Sequence, residues 1–147
     1  MREILFKAKR KGWEKALPES WYVEGYYAVC PFNGVTIHMI IPENLELGFN
    51  GVIEDWVEIE PETLCQYTGK TDHDGKKIFE NDVLVSVQGN GLKKLRRIVW
   101  DDDECAWAVE EQKINDDEFI YVTVLSVYNT KKLKVVGNKF DDNNSEN

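Results

Sequence analysis

The chain has 147 residues, of which 42% are apolar and 12% aromatic, and a formal net charge of −9. That length suits about one domain, able to bury roughly 70% of the surface its unfolded chain exposes without staples. The charge opposes non-specific attraction to phosphate backbones and anionic membranes. No apolar run reaches the ~18 residues of a membrane span, and the N-terminal residues lack the layout of a signal peptide.

Three cysteines, Cys30, Cys65 and Cys105, are odd in number and far apart, with no CxxC pair. They read as reduced thiols of a cytoplasmic protein rather than a disulfide framework.

Taken in order, Ile4, Phe6 and Ala8 alternate with Leu5 and Lys7, predicting a strand over residues 3–8. Lys9-Arg10-Lys11-Gly12 reads as a solvated basic turn, with a phosphate contact as the functional alternative. Residues 13–18 suit one helical turn, stopped by Pro18. Two strand patterns follow, residues 21–30 and 35–41, and Asn33-Gly34 between them is a strong hairpin signal. Strict alternation sets His38 with Thr36 on the face opposite Met39, and that face is expected to look outward. A lone His there is a surface residue rather than a ligand.

Residues 43–51 read as a loop punctuated by Gly48, Asn50 and Gly51, and residues 52–59 as a strand. Pro61 marks a boundary, giving an N-terminal β region over residues 1–60 that shares its core with a barrel region over residues 61–140. Residues 63–67 and 78–79 and the alternating Val83, Val85 and Val87 are extended, and Thr68-Gly69 and Asp72–Gly75 supply turn chemistry between them. Gln88–Gly91 reads as a hairpin turn, residues 92–100 as a strand rich in Lys and Arg, and Asp101–Glu104 as an acidic turn that neutralises it. A short strand over 105–109 and an acidic loop over 110–118 precede a strand over 119–125, which its continuous apolar character marks as buried on both faces. Residues 126–132 suit a bend or a single 3-10 turn, residues 133–136 a last strand, and residues 141–147 an acidic disordered tail. About eight short strands at this spacing describe a mostly β protein, a small barrel or sandwich; α+β with short helical turns is the alternative.

Reactive constellations are sparse. Gly69-Lys70-Thr71 has Leu64 where a phosphate loop needs Gly, and a turn where it needs a helix. Gly89-Asn90-Gly91 lacks the third Gly of a dinucleotide fingerprint. Asp72–Gly75 has its Gly at the fourth position rather than the sixth, so it reads as a plain turn and not a calcium loop. Two histidines leave little scope for a metal site or triad, although Cys65 and His73 flank one turn. No cofactor, metal or catalytic residue is expected.

Six segments carry a resemblance. Glu62–Gly69, the Asp72–Lys76 turn and Lys77–Val83 resemble the YopX family pattern E-T-V-G-Q-Y-T-G, D-x-x-G-K, I-[FY]-E-G-D-[IV]-V. Arg2–Lys7 and Trp21–Tyr26 resemble its R-E-I-x-F-R and W-V-x-G openings, and Val135–Phe140 its V-I-G-N-I-Y close. Cys65 and Asn81 stand where the family has Gly; Asn tolerates left-handed backbone better than most residues. The resemblance implies a phage or prophage protein acting in a bacterial host, an SH3-like, partly open β-barrel with an N-terminal β extension, and no known enzymatic activity.

The expected function is therefore non-enzymatic protein interaction. The aromatics Trp21, Tyr22, Tyr26, Tyr27, Trp56, Trp100, Trp107 and Tyr121 exceed what one small core needs, which points to a homo-oligomer or to a host or phage protein partner. The residues singled out are those of the central turns, Gln66, Tyr67, Thr68, Gly69, Asp72, Gly75 and Asp82, whose first role is to hold the bend and whose second is binding. A nucleic-acid alternative would use Lys93, Lys94, Arg96, Arg97 and Trp100, and a third reading is an acidic mimic of DNA. Neither nucleic acid nor membrane is the expected partner.

Overall fold

The computed structural model describes residues 2–87, 94–113 and 115–141. The Gln88–Gly91 turn, Lys93 and nearly all of the acidic tail lie outside the described residues. The fold is mostly β, built from antiparallel strands in two sheets that do not close into a barrel. The described residues contain no α-helix, only short 3-10 turns. The chain divides into two compact units, residues 1–66 and 67–147.

The first unit holds β1 (Phe6–Lys9), β2 (Tyr22–Phe32), β3 (Val35–Pro42) and β4 (Val57–Glu58), in the order β4-β3-β2-β1. The first two residues of β5 (Cys65–Thr71) pair with β1. The hairpin forms where Asn-Gly predicts it: Asn33 and Gly34 both take positive φ, 48° and 80°, as a two-residue hairpin turn requires. Ala8, Val23, Ile40 and Ile59 form the core, with Phe6, Tyr27, Val57 and Leu64 packed against it.

Four expectations fail in this unit. Residues 52–56 are not a strand; Val57 and Glu58 pair opposite Ile40 and Met39, and Ile59 bridges to Arg10. The turn Lys9 is not solvated. It ends β1, 2% exposed, with its ammonium 3.6 Å from the Trp13 ring centre and 4.7 Å from that of Trp21. The single helical turn expected over 13–18 is two 3-10 turns, Trp13–Lys15 and Pro18–Ser20, because Pro18 suits the first position of the second. The hairpin also faces the other way from the sequence reading. His38 shares its face with the fully buried Ile40, stacks on Tyr27 and shares a 2.6 Å hydrogen bond with the Tyr27 hydroxyl. The apolar series Val35, Ile37, Met39 and Ile41 lies on the opposite face and is half-buried or exposed.

The second unit takes the rest of β5, then β6 (Lys77–Phe79), β7 (Asp82–Ser86), β8 (Arg96–Asp101), β9 (Ala106–Gln112), β10 (Phe119–Val124) and β11 (Leu133–Asn138). Five of these form a sheet in the order β10-β9-β8-β7-β11. Ile78, Leu84, Ile98, Val109, Leu125, Leu133 and Val135 make its core, which Trp107 and Tyr128 complete. Two 3-10 turns, Leu125–Val127 and Thr130–Lys132, precede β11.

Here too the sequence misplaces two segments. Glu110, Glu111 and Gln112 belong to β9 rather than to a loop: Glu110 and Glu111 pair across from Arg97 and Arg96 of β8, and Gln112 pairs with Phe119 of β10. β10 is not buried on both faces; it is the edge strand, with Ile120, Tyr121 and Val122 exposed.

Candidate functional site

The central turns are built around two buried carboxylates. Asp72 is 1% exposed. Its Oδ1 accepts the N–H groups of Asp74 and Lys76, both at 2.9 Å, and its Oδ2 accepts that of Val135 at 2.9 Å. Burial pushes this carboxyl up, but the three backbone donors together outweigh burial and hold it below the usual Asp value. The backbone repeats the connection: His73 N–H donates to the Leu133 carbonyl at 2.8 Å. The turn over 72–76 thus latches β11.

Asp82, fully buried, does the same for the second bend. Its Oδ2 accepts the Phe79 N–H at 2.8 Å, and its Oδ1 accepts from Asn138 Nδ2 at 2.8 Å. Asn81 sits at φ 66°, the left-handed geometry that Gly would take there. It donates its N–H to the Ile98 carbonyl, and its own carbonyl accepts from Lys139.

The remaining residues of this stretch also serve the backbone. Thr68 Oγ1 donates to the Ile78 carbonyl at 2.8 Å and accepts the Lys70 N–H. Gly69 and Gly75 take φ 86° and 78°. Tyr67 packs its ring on Phe79 with centroids 5.6 Å apart, and Gln66 pairs with Phe6. Cys65 Sγ donates to the Thr63 carbonyl at 3.3 Å. The His73 ring is exposed, its Nδ1 lying 3.0 Å from Asp74 Oδ1. No group of three His, Cys, Asp or Glu among the described residues could hold a metal ion.

A model of the family described as "YopX protein" matches residues 11–145. The chain belongs to the YopX family. No curated protein matches it. Within the matched residues, Asp72 and Asp82 both bond the last strand, β11, through Val135 and Asn138.

The cations of the basic segment meet two carboxylates of β9, with Glu111 shared by Lys94 and Arg96. Arg96 Nε lies 3.1 Å from Glu111 Oε1, Arg97 Nη2 3.0 Å from Glu110 Oε1, and Lys94 Nζ 3.8 Å from Glu111 Oε2. Arg97 also lies over the Phe119 ring at 4.4 Å. Trp100 Nε1 donates to Asp102 at 3.0 Å. Cations paired in this way have few counterions to displace from a nucleic acid. The acidic turn instead opens a cleft of about 670 Å³ lined by residues 99–104 and Tyr121. Burial, then the hydrogen bond to Asp101, push the Tyr121 phenol up.

What sequence reasoning missed is the outer face of the β2–β3 hairpin. From Tyr26 to Pro42 there is no Asp, Glu, Lys or Arg, in a chain that is 31% charged. That gap was the available signal. Tyr26, Phe32 and Val35 of this face are exposed.

Proposed function

We propose that this family member is a protein-binding module of a phage or prophage, without chemistry of its own, that associates with itself or with a host or phage protein. The observation that carries the reading is how its side chains are used. The buried carboxylates are engaged with backbone N–H groups. Large apolar side chains, by contrast, stay uncovered on ordered strands, both along the hairpin and on edge strand β10. Uncovered apolar surface on a regular scaffold marks binding, and an unpaired strand edge can accept another strand. Free Cys30, Cys65 and Cys105 suit the reducing cytoplasm of a bacterial host.

Sedimentation of the purified chain up to about 500 µM, a range that reaches contacts of weak affinity, and affinity capture from host lysate test the reading. It expects either a mass above the monomer or a partner retained saturably. A monomer throughout that retains no protein refutes it. The acidic cleft beside Asp101–Glu104 favours a second reading, an acidic mimic of DNA. A captured host protein that competing DNA releases would support that one instead.

A further inference from the structure

The hairpin formed by β2 and β3 reaches beyond its neighbours. β1 pairs with β2 only from Tyr22 to Gly25, and β4 pairs with β3 only at Met39 and Ile40. The distal part, residues 26–32 and 35–37, is a two-stranded ribbon that no third strand flanks among the described residues. Such a ribbon is marginal in water by itself.

Its two faces differ. Gly25 pairs with Pro42, Tyr27 with Ile40 and Val29 with His38, and this face turns to the core through Ile40 and Tyr27. The register puts alternate residues on the other face: Tyr26, Ala28, Cys30 and Phe32 of β2, opposite Ile41, Met39, Ile37 and Val35 of β3. Every side chain in that strip is apolar, aromatic or a thiol. Phe32 is 61% exposed and Val35 59%.

We propose that this outer face is where a second copy of the chain docks, strip on strip about a two-fold axis. The inference rests on the protein-binding reading above and names its surface and partner. Three observations choose a second copy. First, each chain carries −9, so two copies repel except where neither presents charge, and residues 26–42 are such a stretch. Second, a partner recognised by charge would be basic and would find nothing here to pair with, whereas an uncharged apolar strip is complementary to itself, as an isologous contact requires. Third, Pro31 removes an N–H donor from the ribbon. That hinders extension by backbone pairing and leaves the face, rather than the edge, to be covered.

The size sets the strength. Seven residues at ~3.3 Å each give a strip ~23 Å long, and two strands with their side chains cover roughly 300 Å². Two such strips bury about 600 Å² in total, well under the ~1,600 Å² of a standard interface, so the dimer is weak and concentration-dependent. Because the contact is apolar and the remaining surfaces repel, raising salt should tighten it. An ion-paired contact would loosen.

The test is sedimentation equilibrium of the full chain from about 5 to 500 µM, a range that brackets a weak dissociation constant, at low and high salt. The wild type should dimerise, more tightly at high salt. Ile37→Glu should weaken the dimer at least about tenfold, by placing like charges opposite each other in an apolar contact. Ile37→Lys should do the same, and mixing the two variants should restore association as a heterodimer. Should Ile37→Glu lose its fold by circular dichroism, Phe32→Glu at the exposed tip decides. A wild type monomeric at every concentration overturns the second copy as occupant, whether or not another protein is captured. A dimer that withstands both charge insertions overturns this surface and leaves the protein-binding reading intact.

Discussion

Replacing Asp72 by Asn should cost the second unit about 3 kcal/mol. The two side chains have nearly the same shape, but Asn has one acceptor oxygen where Asp has two. If that oxygen keeps the Asp74 and Lys76 amides, the new amide nitrogen faces the Val135 N–H, donor against donor. The lost bond to a charged acceptor is worth about 1.5–3 kcal/mol, and the other two fall from charge-assisted to ordinary strength at about 1 kcal/mol each. Relief of the charge's burial offsets part of this, leaving about 3 kcal/mol, a large share of the 5–15 kcal/mol typical of a domain. At a urea slope of about 2 kcal/mol/M the unfolding midpoint should fall by about 1.5 M. Amide exchange at Val135 should accelerate beyond what the global loss explains. The pH dependence gives an independent check. The folded Asp72 pKa lies below its unfolded value, near 3.9. Between the two values the unfolded chain binds more protons, so stability rises with pH there. The contribution is complete above the unfolded value and is lost as pH falls through the folded one. The gap between wild type and Asp72→Asn should therefore narrow below about pH 4. A loss under about 0.5 kcal/mol at neutral pH, within the ordinary scatter of surface substitutions, would refute the latch.

Asn81, at φ 66°, should accept Gly with a change within about 0.5 kcal/mol, while Asn81→Val should lose about 1–2 kcal/mol from the left-handed strain of a branched side chain. Thermal melts of the two variants test this, and equal losses would show that the backbone geometry is not what the position requires. Gly25→Ala would place a Cβ 2.0 Å from the Ile41 carbonyl oxygen, a clash with backbone that the β2–β3 pairing must open to relieve. A loss of about 2 kcal/mol or more is expected on melting, and an unchanged midpoint would mean that the two strands part more easily than their pairing suggests.

The turns were the most legible part of the sequence, because they are set by local chemistry. Asn33-Gly34, Gly75 and Asn81 each occupy the positive-φ position their residue type suggests. Long-range charge pairing was much less legible. Nothing near Arg96 and Arg97 in the sequence shows that Glu110 and Glu111 will lie across from them; the sequence offers the nearer Asp101–Glu104, and the antiparallel register chooses the farther pair. β10 misled for a related reason. Its composition, Phe-Ile-Tyr-Val-Thr-Val, is that of a central strand, but composition carries no information about sheet order, and order makes it an edge. Lys9 went astray because its cover, Trp13 and Trp21, comes from neighbouring turns whose aromatic rings a charge count ignores.

The hairpin exposes a deeper limit. Period-two alternation states which residues share a face, not which face looks inward. In β3 the longer apolar series is Val35, Ile37, Met39 and Ile41, yet the core takes Ile40, because Ala8 of β1, Val23 of β2 and Ile59 gather on that side. A strand so oriented leaves its more apolar face in water, a standing invitation to aggregate. The kind of contact that covers it then matters. A head-to-tail contact repeats indefinitely and yields fibres, whereas a two-fold contact uses up both strips at once and stops. A chain with −9 distributed around an uncharged strip favours the second outcome, since each further copy adds repulsion without adding apolar surface to bury.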